Sequence, residues 1–162
     1  MKKLFLVLSI FLFFTCHQSA NETETLAHKI DSLQTKVDNA YRPGLGEFMS
    51  AIQLHHAKLW FAGKNSNWKL ADFELSEIKE IFADIKTYCS DRKETQMISM
   101  IYPALDSVNS AAQNQNISAF TQGFKFLTKT CNNCHQAVNY QFNRIKIPER
   151  APIGNQDFKQ VN

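Results

Sequence analysis

From Leu45 to Val138 the apolar residues fall at steps of three and four, the period of helices that bury one face. Leu45, Phe48, Met49, Ile52, His56 and Leu59 make the inward stripe of a first helix, predicted over 45–62 with Gly63 as its stop. Trp68, Ala71, Leu75, Ile78, Phe82 and Ile85 mark a second, with Asn67 as its cap. A third is expected after Asp91. Asp91 and Glu94 have the spacing of a capping box, and Ile98, Ile101, Leu105 and Val108 carry the inner face. Pro103 should kink or divide this helix. Asn114-Gln115-Asn116 reads as a polar turn before a fourth helix from about Ser118. Its seam runs through Phe120, Phe124, Leu127, Cys131, Cys134 and Val138. No alternating strand pattern competes over 44–143. Four helices with short loops predict an all-α fold, an antiparallel up-down-up-down four-helix bundle.

The ends of the chain read differently. Met1-Lys2-Lys3 is a short positive region, and Leu4 to Phe14 is an apolar run broken only by Ser9. At eleven residues the run is too short for an ordinary membrane span and has the form of an export signal over 1–15. Cys16 follows directly. A cysteine in that place resembles the lipobox of bacterial lipoproteins. The resemblance implies diacylation of Cys16, a new N-terminus there, and a lipid anchor on the periplasmic side of a bacterial membrane. The other reading is an ordinary signal peptide with an incidental cysteine. Residues 16–43 are polar, with Leu26, Ile30, Leu33 and Val37 at helical spacing, and suit a stalk or a short amphipathic helix. That stripe also leaves room for a homodimer. After the bundle domain at 44–143, Pro148 and Pro152 predict an extended tail over 144–162, folding back over the edge of the site described next.

The chemistry concentrates in Cys131-Asn132-Asn133-Cys134-His135. On a helix, Cys131 and Cys134 lie one turn apart on the same face, and His135 lies close to that face. Two thiols so placed can each add across one vinyl group of a porphyrin, with His135 as the proximal iron ligand. Zinc would need further Cys or His ligands, and only Cys89 and scattered histidines are available. A thioredoxin-like redox pair would need a βαβ context that the pattern lacks. One covalent haem c with its iron is therefore the expected cofactor, and export agrees with it.

Composition narrows the partners. The chain has 162 residues, enough for one modest domain, and a formal charge of +3. Loss of Lys2 and Lys3 with the signal leaves 16 basic residues against 15 acidic, and two haem propionates bring the total to about −1. Nothing in that balance points to nucleic acid. Arg42, Lys58, Arg144 and Lys146 are candidate propionate partners. Trp60 and Trp68 read as core, and Cys89 as a buried free thiol.

With these features the chain resembles the cytochrome c′ family, which carries Cys-x-x-Cys-His near the end of the last helix of a four-helix bundle. The stretch His56-Ala57-Lys58-Leu59-Trp60-Phe61-Ala62-Gly63, with Asn67-Trp68 and Leu70-Ala71 after it, is also similar to exported bacterial cytochrome c proteins of this build. The resemblance implies a membrane-anchored monohaem c-type cytochrome. It would be no enzyme but a carrier of single electrons between redox partner proteins in the periplasm. The alternative is a five-coordinate protein that binds nitric oxide or carbon monoxide.

The sixth iron position separates the two. With the fourth helix taken to end near residue 143, His135 lies about eight residues before that end, roughly 12 Å along the axis. The same distance into the first helix falls near Ile52, within about a turn of both Met49 and His56. Met49 would match the soluble b-type bundle cytochromes, which place a methionine ligand early in the first helix. His56 would give bis-histidine iron, and His55 lies at the edge of the stripe. Phe48 and Ile52 would instead cap an open iron face.

Overall fold

The computed structural model describes residues 22–38, 40 and 43–160. The signal segment at 1–15, Cys16 and Arg42 lie outside the described residues. The chain divides into two units, 1–42 and 43–162. The first carries helix α1 over 22–38, on which Leu26, Ile30, Leu33 and Val37 are each more than half exposed. Among the described residues no helix is long and apolar enough to cross a membrane.

The second unit is helical, with no strand among the described residues. Its elements are α2 (Leu45–Lys64), α3 (Trp68–Tyr88), the single turn α4 (Lys93–Gln96), a 3-10 turn (Ile98–Ile101), α5 (Tyr102–Gln113) and α6 (Ile117–Ala137). The predicted division near Pro103 occurs. The 3-10 turn precedes it, and the proline stands in the first turn of α5, where its missing N–H leaves no helical bond unmade. The long helices pack in the cyclic order α2, α3, α5, α6, with α6 back against α2. Leu59, Ile85, Leu105, Val108, Phe120 and Phe124 are removed from solvent at the centre. Each of these large side chains contributes roughly 1.5–3 kcal/mol by burial.

Two predicted helix signals are corrected. Asp91 makes no cap: Arg92 stands at the N-cap of α4 without a side-chain cap bond, and its guanidinium pairs with Glu94 (Nη2 to Oε1 2.9 Å, Nε to Oε2 3.3 Å). Gly63 is not the stop of α2, which continues to Lys64 and ends with Ser66 at φ 56°. Ser66 N–H bonds the Gly63 carbonyl and Asn67 N–H the Ala62 carbonyl, a Schellman turn made without glycine. Gln115 (φ 51°) ends α5 and Asn139 (φ 66°) ends α6 in the same way. Asn67 and Asn116 then start the next helices, their side chains accepting from Leu70 N–H and Ala119 N–H.

Gly63 has another role. It is buried, and a Cβ built on it would run into the Phe120 ring. Gly63→Ala is expected to cost about 1–3 kcal/mol by overpacking, read as a fall in the thermal midpoint. Gly46→Ala, in the same helix with nothing within 4 Å, should leave the midpoint unchanged or raise it.

Candidate functional site

A cleft at one end of the second unit gathers the residues singled out in the sequence. Its walls come from α2 (Met49, Ile52, Gln53, His56), α3 (Phe82), the 3-10 turn (Ile98, Ile101), α6 (Cys131, Cys134, His135) and the segment beyond α6 (Asn143, Ile145). The atom-free space is about 780 Å3 with its open mouth included, and the lining is mainly apolar. Both thiols and the histidine of the motif thus meet one hydrophobic cleft, as helical spacing requires of residues one turn apart.

His135 is oriented by a backbone group. Its Nδ1 lies 2.6 Å from the Asn143 carbonyl oxygen. A carbonyl only accepts, so Nδ1 carries a proton, and in the neutral ring Nε2 then keeps its lone pair. Nε2 has no hydrogen-bond partner among the described residues. A histidine with one nitrogen held by a carbonyl and the other unpartnered is able to ligate a metal through the second. The cysteines are free thiols. Burial pushes the Cys131 thiol up to about 12 and raises that of Cys134 as well. A dithiol redox centre works through a depressed thiol, so these environments disfavour that chemistry.

The position of α6 relative to α2 follows from three contacts. A Cβ on Gly63 would meet Phe120, the Trp60 and Phe124 ring centroids are 4.8 Å apart, and His56 Nε2 is 2.9 Å from Thr128 Oγ1. Numbers fall along α2 as they rise along α6, so the two helices run in opposite directions. Two more turns in the same register set Met49 level with His135. The expected end of α6 near 143 is corrected: the helix stops at Ala137, two residues past His135, because Asn139 takes the left-handed conformation. The eight-residue offset that made Met49 and His56 equal candidates therefore does not apply. His56 lies seven residues, about 10 Å, further along α2.

His56 is also engaged. The Thr128 hydroxyl donates to the Phe124 carbonyl (2.9 Å), so its oxygen accepts from His56 Nε2–H. The ring lies against Phe124, centroids 4.4 Å apart. Burial lowers the His56 pKa from 6.5 to about 4. Between those values the unfolded chain binds a proton that the folded chain refuses. Stability should therefore fall as pH drops from about 6.5 towards 4, by roughly 3 kcal/mol in all. Urea melts between pH 4 and 7 should show this slope, and His56→Leu should flatten it.

His55 does not line this cleft. Its Nδ1 is 2.6 Å from Oε2 of Glu74, a fully buried carboxylate of α3, and Lys58 Nζ is 3.5 Å from the other oxygen. Lys58 is thereby committed to Glu74 rather than free for a propionate. Arg144 and Lys146 border a second, polar cleft beside the first, with Lys125 and Lys129, and Lys146 pairs with Glu149 at 2.8 Å. Cys89 is a buried free thiol, as read from the sequence, whereas Trp60 and Trp68 are half-buried and pack against Phe120 at the edge of the core.

Beyond α6 the chain forms a strap with no regular element. Ile145 exchanges two backbone bonds of 2.8 Å with the Asn132 side chain. Phe158 is buried with its centroid 5.7 Å from that of Phe61, and Asn67 Nδ2 holds the Lys159 carbonyl at 3.0 Å. The strap thus runs from the cleft to the α2–α3 turn, and its Asn143 and Ile145 form one wall of the cleft. Asn132, Thr128, Asn143 and Ile145 were not foreseen. The available signals were the extended tail expected from Pro148 and Pro152 and Asn139, a residue that ends helices in the left-handed conformation.

Among the described residues no group of three or more His, Cys, Asp or Glu side chains could hold a bare metal ion. Haem iron makes a smaller demand, since the porphyrin supplies four nitrogens and the protein one or two axial ligands. The cleft residues fit that demand. No protein-family model matches the chain, and no curated protein or solved structure gives a significant match.

Proposed function

We propose that this chain is an exported c-type cytochrome that carries single electrons in the bacterial cell envelope. The observation that supports it best is the convergence of Cys131, Cys134 and His135 on one apolar cleft, with the His135 Nδ1–H held by a carbonyl and Nε2 left free. On this reading the four long helices form an antiparallel up-down-up-down bundle of the cytochrome c′ kind. The contacts of α2 with α6 support that topology.

Each residue then has a task. Cys131 and Cys134 would hold haem c through thioethers, and His135 would bind its iron through Nε2. Bound in this way, haem supplies reversible one-electron chemistry at iron. Met49, level with His135, is the proposed sixth ligand. The apolar walls from Ile52, Phe82, Ile98 and Ile101 exclude water and favour the less charged, reduced state. No carboxylate stands beside the histidines among the described residues that line the cleft, and both of its thiols are given to the haem, so the protein is proposed as a carrier and not an enzyme. Residues 1–15 would direct export, and a lipid on Cys16 would hold the protein on the periplasmic side of a membrane, near redox partner proteins. Spectroelectrochemistry of the full chain from an envelope preparation tests this reading. One reversible one-electron transition with haem c bands is expected. A colourless, redox-silent protein would overturn it.

A further inference from the structure

Resting on the haem reading of the cleft, the geometry points to Asn132 as the residue that positions the iron-binding His135, acting through the C-terminal strap. Asn132 stands between the two cysteines, where the attachment chemistry asks for no particular side chain. Its Oδ1 accepts from Ile145 N–H at 2.8 Å, and its Nδ2 donates to the Ile145 carbonyl at 2.8 Å and to the Thr128 carbonyl at 3.0 Å. A carboxamide sets a donor and an acceptor side by side, facing both backbone groups of one residue as a neighbouring strand would. Two residues before Ile145, the Asn143 carbonyl takes the Nδ1 proton of His135. Asn143 itself is exposed and lies in an irregular turn closed by its N–H to the Tyr140 carbonyl, 2.9 Å. A carbonyl on such a segment keeps a fixed place only if the segment is tied down nearby. Tyr140, whose N–H bonds the His135 carbonyl at 2.7 Å, ties it on one side, and Asn132, half-buried on the helix that carries His135, ties it on the other.

Held this way, the imidazole is fixed in the Nδ1–H form and is a stronger donor to iron. Asn132 is a positioning residue: it touches the strap and not the iron. Two readouts test it in the full chain. In the haem-loaded protein, Asn132→Ala should raise the midpoint potential, because a weaker histidine donor stabilises ferric iron less. In the same chain produced without haem, imidazole nitrogen NMR should show His135 as the Nδ1–H form in the wild type and lose that excess in Asn132→Ala. The Ile145 amide should then exchange about tenfold faster or more, as expected for loss of one hydrogen bond. Asn132→Asp keeps the acceptor for Ile145 N–H, should fall between the two, and decides the matter if the alanine variant fails to fold. Unchanged potential and unchanged tautomer in folded variants would overturn the assignment. Absence of haem from the wild type would sink the cytochrome reading, while the tautomer measurement would still decide the role of Asn132.

Discussion

Replacing Cys131 and Cys134 together by alanine is expected to abolish covalent haem. In the wild type, colour should stay with the polypeptide through acid–acetone extraction, and in the double variant it should pass into the solvent or never be acquired. The chain should also become less stable. Without the cofactor, the apolar area that the porphyrin and the cleft walls at Met49, Ile52, Phe82, Ile98 and Ile101 would bury against each other is no longer gained. At roughly 25 cal/mol per Å2 this is on the order of 3 kcal/mol. For a domain of this size that shifts the thermal midpoint by about 10 °C. A wild-type protein that gives up all its colour on extraction would remove the basis of the proposed function. Single substitutions should retain one thioether and lie between.

The second large effect concerns the sixth ligand. Met49→Ala is expected to convert a low-spin iron into an open site, with loss of the charge-transfer band near the red end of the visible spectrum. It should also produce a marked gain in carbon monoxide affinity. His56→Ala should leave the band in place. The register of α2 against α6 sets Met49 level with His135, whereas His56 stands about two turns away with its Nε2–H given to Thr128. A thioether favours ferrous iron and a second imidazole favours ferric, so the potential should move with the ligand. If the two substitutions have reversed effects, His56 is the ligand. A high-spin wild type, insensitive to both, would favour the gas-binding alternative, with Phe48 and Ile52 as the apolar lid.

Much of the scaffold is legible in the sequence. The stripes of Phe48, Ile52 and Leu59, of Leu75, Ile78 and Ile85, and of Phe120, Phe124 and Leu127 lie in the core where their spacing puts them. Asn67 caps α3 as expected, and Pro103 lies at a break. Gly63 misled for a physical reason. Glycine is used both where a chain must turn left-handed and where two elements come close, and the sequence does not say which. Here Phe120 needs the space, and Ser66 makes the turn.

The motif Cys131 to His135 and the helical period settled by themselves that two thiols and an imidazole would share one stretch of helix face. Local spacing is enough for that, because residues one turn apart on a helix are neighbours whatever surrounds them. Which residues of α2 meet that face depended on the packing of Trp60 on Phe124 and of His56 on Thr128. The same holds for the partner of His135. It is a backbone carbonyl, at Asn143, placed by a strap that returns over α6. Every residue carries a carbonyl, so no letter of the sequence marks the one that will be used. Only the path of the folded chain brings it there.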